Sequence, residues 1–354
     1  MNTQKAGIGE KIHADLQQFA RAVVDQQYEV QPELREKYGE GGYQKCVEDT
    51  QSHLAYLAEA ISANDKTLFV DYVRWAGETL RAYHVPAEDF RANLQAIRVV
   101  FQERVSSEEI VLLSTFIDAG MAQLSGKFEA HISYLDTRAS LASLANEYLA
   151  ALLNADRKAA SELIMNAVSA GTNVKAIYLD VFQPVQYELG RLWQTNVISV
   201  AQEHYCTAET QRIMARLSLY FANTPRNGYV VVAACIGGEL HDMGIRMVTD
   251  FFEMAGWETH YLGANMPLRS LLTTLTERKP QVLALSATIT AHLDKVREII
   301  QAVRAKEELA SIKILVGGYP FNVAPNLWIE MGADGFANDG DSAVRLADKL
   351  TDRR

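Results

Sequence analysis

Cysteine is nearly missing: Cys46, Cys206 and Cys235 are the whole supply in 354 residues. They lie far apart and form no CxxC pair, which excludes a disulfide framework and a structural zinc site. No apolar run reaches the roughly 18 residues that a transmembrane helix needs. Met1 to Glu10 is polar and has no apolar signal core, so the chain reads as cytoplasmic. Positive charge is in deficit: 34 Lys and Arg face 44 Asp and Glu, a formal net charge of −10. Such acidity argues against a general DNA- or membrane-binding face. There is no internal repeat or low-complexity tract. What remains is a globular balance, 48% hydrophobic and 22% charged, over a length that suggests two or three domains.

Residues 1–132 read as all helix. Ile12, Leu16, Phe19, Val23 and Val24 recur at helical spacing, and a Pro/Gly-containing connection follows from Gln31 to Gly42. Val47, Leu54, Leu57, Ala58 and Ile61 mark a helix from about Tyr43 to Ser62, broken by Asn64-Asp65. Further helical stretches are Thr67–Tyr83, Ala87–Glu103 and Glu108–Tyr134, with Pro86 suited to a first turn. A second block, residues 133–224, carries helices around Leu144–Leu153, Ala159–Val168, Ile177–Leu192 and Ser199–Leu219, and Pro184 should kink the third or sit near its start. Four helices with short connections suggest an antiparallel bundle.

The pattern changes at the turn-rich stretch Asn223 to Gly228. Residues 225–354 then alternate strand and helix, with strands at Tyr229–Cys235, Thr259–Leu262, Val282–Ser286, Ile312–Val316 and Asp334–Ala337. These strands are apolar throughout rather than alternating, the mark of a parallel doubly wound sheet of Rossmann or flavodoxin type. Ligands in such sheets bind at the carboxyl ends of the strands, so the loops after Cys235, Leu262, Ser286 and Val316 are the candidates.

The first of these loops reads Gly237, Gly238, Glu239, Leu240, His241, Asp242, Met243, Gly244. A histidine there can extend toward a ligand, and Glu239 can accept a hydrogen bond from its other ring nitrogen, which orients a metal-bound imidazole. A lone histidine in a polar loop is more often incidental. Two later loops add weight: Ser286-Ala287-Thr288 after the third strand, and Gly317-Gly318-Tyr319 after the fourth. Taken in order, Glu239, His241, Gly244, Ser286, Thr288, Gly317 and Gly318 resemble the B12-binding domain of methionine synthase, corrinoid methyl carriers and B12-dependent mutases. The resemblance implies that His241 ligates cobalt in place of the cofactor's own base. Ser286 would then hydrogen-bond the displaced base, and Gly317 and Gly318 would leave room for the nucleotide tail. Asp242, Thr288 and Tyr319 join the expected cofactor contacts. Glu239 stands where that family more often has Asp.

In the bundle, Trp193 is followed after nine residues by Glu203-His204. On spacing alone this is a core tryptophan and a surface Glu-His pair. Attached to a B12-type sheet it resembles the signature of the light-sensing CarH/LitR proteins, in which these groups enclose the upper adenosyl ligand; methyl-carrying relatives generally lack it. The sequence departs from that pattern at Gln194, where a histidine ligand is usual, leaving His204 and, less directly, His131 as upper-ligand candidates. No DNA-reading winged helix precedes the bundle. The stretch Tyr38 to Leu57 and Phe69 to Trp75 instead resembles the helical, globin-like domain of photocobilins. That resemblance implies a biliverdin slot using His53, Tyr56, Tyr72 and Trp75, with a plain helical dimerisation or signalling domain as the alternative.

The leading expectation is therefore a photoreceptor, not an enzyme. It would bind adenosylcobalamin and also biliverdin, form a homo-oligomer whose assembly changes with light, and signal to a downstream protein. The competing readings are a corrinoid methyl carrier serving a separate methyltransferase, and a B12 store or chaperone.

Overall fold

The computed structural model describes residues 3–124, 133–135 and 140–352. The chain forms two compact units. One is built on the first six helices together with Ile289–Asp294 and Val323–Glu330, and the other on the remainder.

In the first unit the helices are α1 (Thr3–Ala14), α2 (Leu16–Val30), α3 (Leu34–Ser62), α4 (Lys66–Ala82), α5 (Ala87–Gln102) and α6 (Ser107–Gln123). Their boundaries follow from local chemistry. The Asp65 carboxylate accepts from the Thr67 N–H to start α4, and Ser106 and Glu109 form a reciprocal capping box on α6. Pro86 stands just before α5, where its missing N–H costs nothing. The connection expected from Gln31 to Gly42 is instead mostly helical: α3 begins at Leu34, and Gly39 absorbs the irregularity at φ +65°. The last expected helix ends at Gln123, and His131 lies outside the described residues. Leu54, Leu57, Phe69, Leu94, Ile97, Phe101 and Phe116 form the buried core.

The second unit opens with the bundle: α7 (Ala142–Leu153), α8 (Arg157–Ser169), α9 (Val174–Ile177), α10 (Gln183–Gln194) and α11 (Val200–Leu217). A π-turn, Tyr178–Phe182, joins α9 to α10, and the Gln183 N–H reaches back to the Tyr178 carbonyl. Pro184, next in line, has no N–H to continue an ordinary α ladder, so the wide turn sits where the missing donor would otherwise leave a gap.

After the bundle come β1 (Val230–Cys235), α12 (Met243–Met254), β2 (Glu258–Tyr261), α13 (Leu268–Arg278), β3 (Val282–Ser286), α14 (Leu293–Arg304), β4 (Lys313–Gly317), α15 (Tyr319–Val323), α16 (Leu327–Met331), β5 (Gly335–Phe336) and α17 (Gly340–Leu350). All strand pairs are parallel, in the order β2-β1-β3-β4-β5. β1 and β3 are buried almost throughout, as strands covered on both faces must be. The chain is thus multidomain, α and α/β, with a helical N-terminal part, a helical bundle and a doubly wound sheet. The strand order reverses between β1 and β3, which makes the crevice above their carboxyl ends the natural ligand position. No described helix is long and apolar enough to cross a membrane.

Candidate functional site

β1 ends at Cys235 and delivers the glycine-containing loop to the switch point. Gly238 turns at φ +83°, and its N–H is held by the Asn265 side chain at 2.8 Å. The Asn265 N–H donates in turn to the Glu239 carbonyl. The loop after β2 therefore braces the loop after β1, a support that the sequence reading did not find.

Glu239 is fully buried. Its Oε1 faces His241 Nδ1 at 2.5 Å and accepts from the His241 N–H at 3.0 Å, and its Oε2 accepts from the Thr288 N–H at 2.7 Å. A buried carboxylate is tolerable only when its oxygens are satisfied, and here both are. The bond at Nδ1 fixes the ring and leaves Nε2 as the outward nitrogen. The His241 side chain is 60% exposed, so Nε2 is accessible at the switch point. The hydrogen bond to Glu239 raises the His241 pKa against a smaller opposing effect of burial. The charges of Glu239, Glu203 and Asp242 add to the rise. That Glu203 reaches His241 electrostatically places the first turn of α11 within range of the loop.

Asp242 uses both oxygens within the protein. Oδ1 accepts from Gln211 Nε2 at 3.0 Å and Oδ2 from the Tyr261 hydroxyl at 2.7 Å. Gly244 has open space where a Cβ would stand. Ser286 is buried at the end of β3 and Tyr319 is exposed. The two glycines after β4 have a backbone reason to be glycine: Gly318 sits at φ +106°, and a Cβ there would meet the Ala287 carbonyl oxygen at 2.0 Å. At Gly317 a Cβ would stand 3.1 Å from the Ala337 carbonyl. Room for a nucleotide tail is not needed to account for either.

In the bundle, Trp193 packs partly buried against the core and Gln194 is buried. Glu203 accepts from the Thr207 hydroxyl at 2.9 Å, and His204 is 75% exposed with its Nε2 3.6 Å from Glu203. In the N-terminal unit His53 and Tyr72 are buried and face each other, Nδ1 to hydroxyl, at 2.7 Å. Tyr56 stacks on Tyr72 at 3.8 Å between centroids, Phe90 lies 4.7 Å from His53, and Trp75 stacks at 6.1 Å from Tyr72.

An imidazole with one nitrogen held by a buried carboxylate and the other turned outward fits an axial metal ligand. No cluster of three or more metal-binding side chains exists among the described residues, so any metal here would have to arrive with most of its ligands. A corrinoid does that.

Residues 229–347 match the sequence family described as "B12 binding domain", and residues 144–218 match a second family of the same description. The chain is similar to dimethylamine corrinoid protein 2 of Methanosarcina mazei, 28% identical over 191 residues, 54% of this chain and 82% of that one. It is also similar to a corrinoid protein of Desulfitobacterium hafniense, 31% identical over 121 residues, 34% of this chain and 55% of that one. Among solved structures, the monomethylamine corrinoid protein of Methanosarcina barkeri matches with a TM-score of 0.54 at 19% identity, covering 60% of this chain and all of the other. At that identity the likeness speaks for the fold alone. Bundle and sheet together are B12-binding domains, and corrinoid binding follows from them.

These relatives overturn the photoreceptor reading. They are corrinoid proteins, not light sensors, and with that the resemblance to CarH/LitR proteins and photocobilins fails. Trp193 lies at the end of α10, Ser199 caps α11 and Glu203 falls in its first turn, so the Trp193 to Glu203 spacing spans a helix–turn–helix connection. Adenosylcobalamin as the cofactor and light-dependent assembly rested on that resemblance and are corrected with it. The expected biliverdin is likewise corrected by the corrinoid relatives; of His53, Tyr56, Tyr72 and Trp75, only His53 and Tyr72 are buried, and they are bonded to each other. The reading as a cofactor-binding protein rather than an enzyme agrees with the corrinoid relatives.

Proposed function

We propose that this chain is a corrinoid methyl carrier that works with a separate methyltransferase, with methylcobalamin as its working cofactor. The observation that carries the reading is the Glu239–His241 pair at the switch point of a B12-binding sheet, in a chain whose relatives are corrinoid proteins. When bound, the cofactor's cobalt supplies the position at which a methyl group is held and released.

The protein's share is placement. His241 would hold the cobalt through Nε2. Glu239 holds the imidazole in one tautomer and keeps it basic, and Thr288 holds Glu239 through its N–H. Ser286, Gly244, Gly317, Gly318 and Tyr319 would contact the cofactor from the sheet, and Trp193, Glu203 and His204 would contact it from the bundle. Residues 225–354 are the cofactor domain, residues 133–224 the cap, and residues 1–132 a helical scaffold.

Titration of the full chain with methylcobalamin and with adenosylcobalamin, followed by absorption, tests this. Methylcobalamin binding with the base displaced and histidine coordinated is expected. Selective binding of the adenosyl form with rejection of methylcobalamin would refute it.

A further inference from the structure

Asp242 directly follows the proposed cobalt ligand and stands at the N-cap of α12. An aspartate at that position ordinarily turns its carboxylate onto the first N–H groups of its own helix. Asp242 makes no such bond. It takes the Gln211 amide of α11 on one oxygen and the Tyr261 hydroxyl at the end of β2 on the other. The carboxylate is used across elements instead of along its helix.

The same face of α12 continues with Arg246 and Asp250, each four residues further on and so in line. The Arg246 guanidinium lies over the Tyr261 ring at 5.8 Å, and Asp250 accepts from the Tyr178 hydroxyl of the π-turn at 2.7 Å. The bundle is therefore seated on α12 at two hydrogen-bonded points, two helical turns apart. One of them is bonded to the residue beside His241. The His241 carbonyl itself accepts from the Cys235 thiol, at 3.5 Å.

We propose that Gln211 is a positioning residue for the lower ligand: through Asp242 it ties the place of helix α11 to the conformation of the loop that presents His241. A shift of α11 would thereby reach the loop that presents His241. The inference rests on His241 being that ligand. Its structural half, the coupling of α11 to the loop, does not.

The test uses the full chain with Gln211→Leu and Tyr261→Phe, and Arg212→Ala as an exposed control on the same helix. Hydrogen–deuterium exchange of residues 237–244 is measured first without cofactor. Loss of a hydrogen bond to a carboxylate should speed exchange there roughly tenfold in Gln211→Leu, less in Tyr261→Phe, and leave it unchanged in Arg212→Ala. After loading with methylcobalamin, Gln211→Leu should keep the cofactor but show a smaller histidine-coordinated fraction. Wild-type exchange of the loop in both Gln211→Leu and Tyr261→Phe would overturn the proposal, as would an increase spread equally over β3 and β4. If the wild-type protein binds no cobalamin, the functional reading falls, and the cofactor-free exchange still decides the coupling.

Discussion

Glu239 and His241, two residues apart on one loop, share two contacts: Glu239 Oε1 meets both the ring Nδ1, at 2.5 Å, and the backbone N–H, at 3.0 Å. The double contact fixes ring and backbone together, so the outward nitrogen has a defined direction before any ligand arrives. Because the carboxylate is buried and bonded, it also raises the proton affinity of the imidazole.

Replacing Glu239 by Gln should therefore lower the His241 pKa toward the ordinary value of about 6.5. The sign of the linkage follows. A raised histidine pKa contributes stability that is complete below about pH 6.5 and is lost as pH rises through the raised value. NMR titration of the imidazole in cofactor-free protein checks the shift, and the pH dependence of unfolding checks the slope, which should flatten in Glu239→Gln. Loss of the supporting carboxylate should weaken cobalamin binding by about 10–100-fold.

His241→Ala removes the ligand itself. The absorption spectrum of bound cobalamin should lose its histidine-coordinated form, and affinity should fall by at least about tenfold. An unchanged spectrum and affinity would refute the assignment of His241.

Gly318→Ala places a methyl group against the Ala287 carbonyl on a backbone with φ +106°. Backbone must shift on both sides of the β3 and β4 loops. Chemical denaturation should show a loss of about 3 kcal/mol or more. A stability within experimental error of wild type would contradict the described approach of the two loops.

In the helical unit, burial drives the His53 pKa down to about 3. A depressed histidine gives the opposite slope: stability is complete above about pH 6.5 and falls as acid protonates the unfolded chain preferentially. His53→Gln, which keeps a polar partner for Tyr72, should be less sensitive to acid between pH 6.5 and 4 than wild type, roughly the window set by the two pKa values. Thermal unfolding followed by circular dichroism across that range measures it.

The sheet was legible because its strands are short, apolar runs between turn residues, a pattern with few alternatives. The Glu239–His241 contact was legible because two residues on one tight loop can hardly avoid each other. The aromatic set His53, Tyr56, Tyr72 and Trp75 misled because a stacked ring cluster and a pigment slot share the same composition. The Trp193 to Glu203-His204 spacing misled because helix geometry produces it unaided. Gln211 and Tyr261 carried no local signal, since their meeting at Asp242 depends on how the bundle docks. Asp242, Arg246 and Asp250, polar at every fourth position along one face of α12, were the one clue to that seat.

Methyl carriage on a corrinoid held by His241 can be followed in a single-turnover experiment. The full chain is loaded with methylcobalamin and mixed with a thiol and a corrinoid-dependent thiol methyltransferase, and the methylated thiol is quantified. Methyl transfer should match the loss of the methyl-cofactor absorption, and transfer from His241→Ala should be slower. Stable methyl-cofactor absorption with no methylated thiol, under conditions where a known corrinoid carrier reacts with the same enzyme, would contradict it.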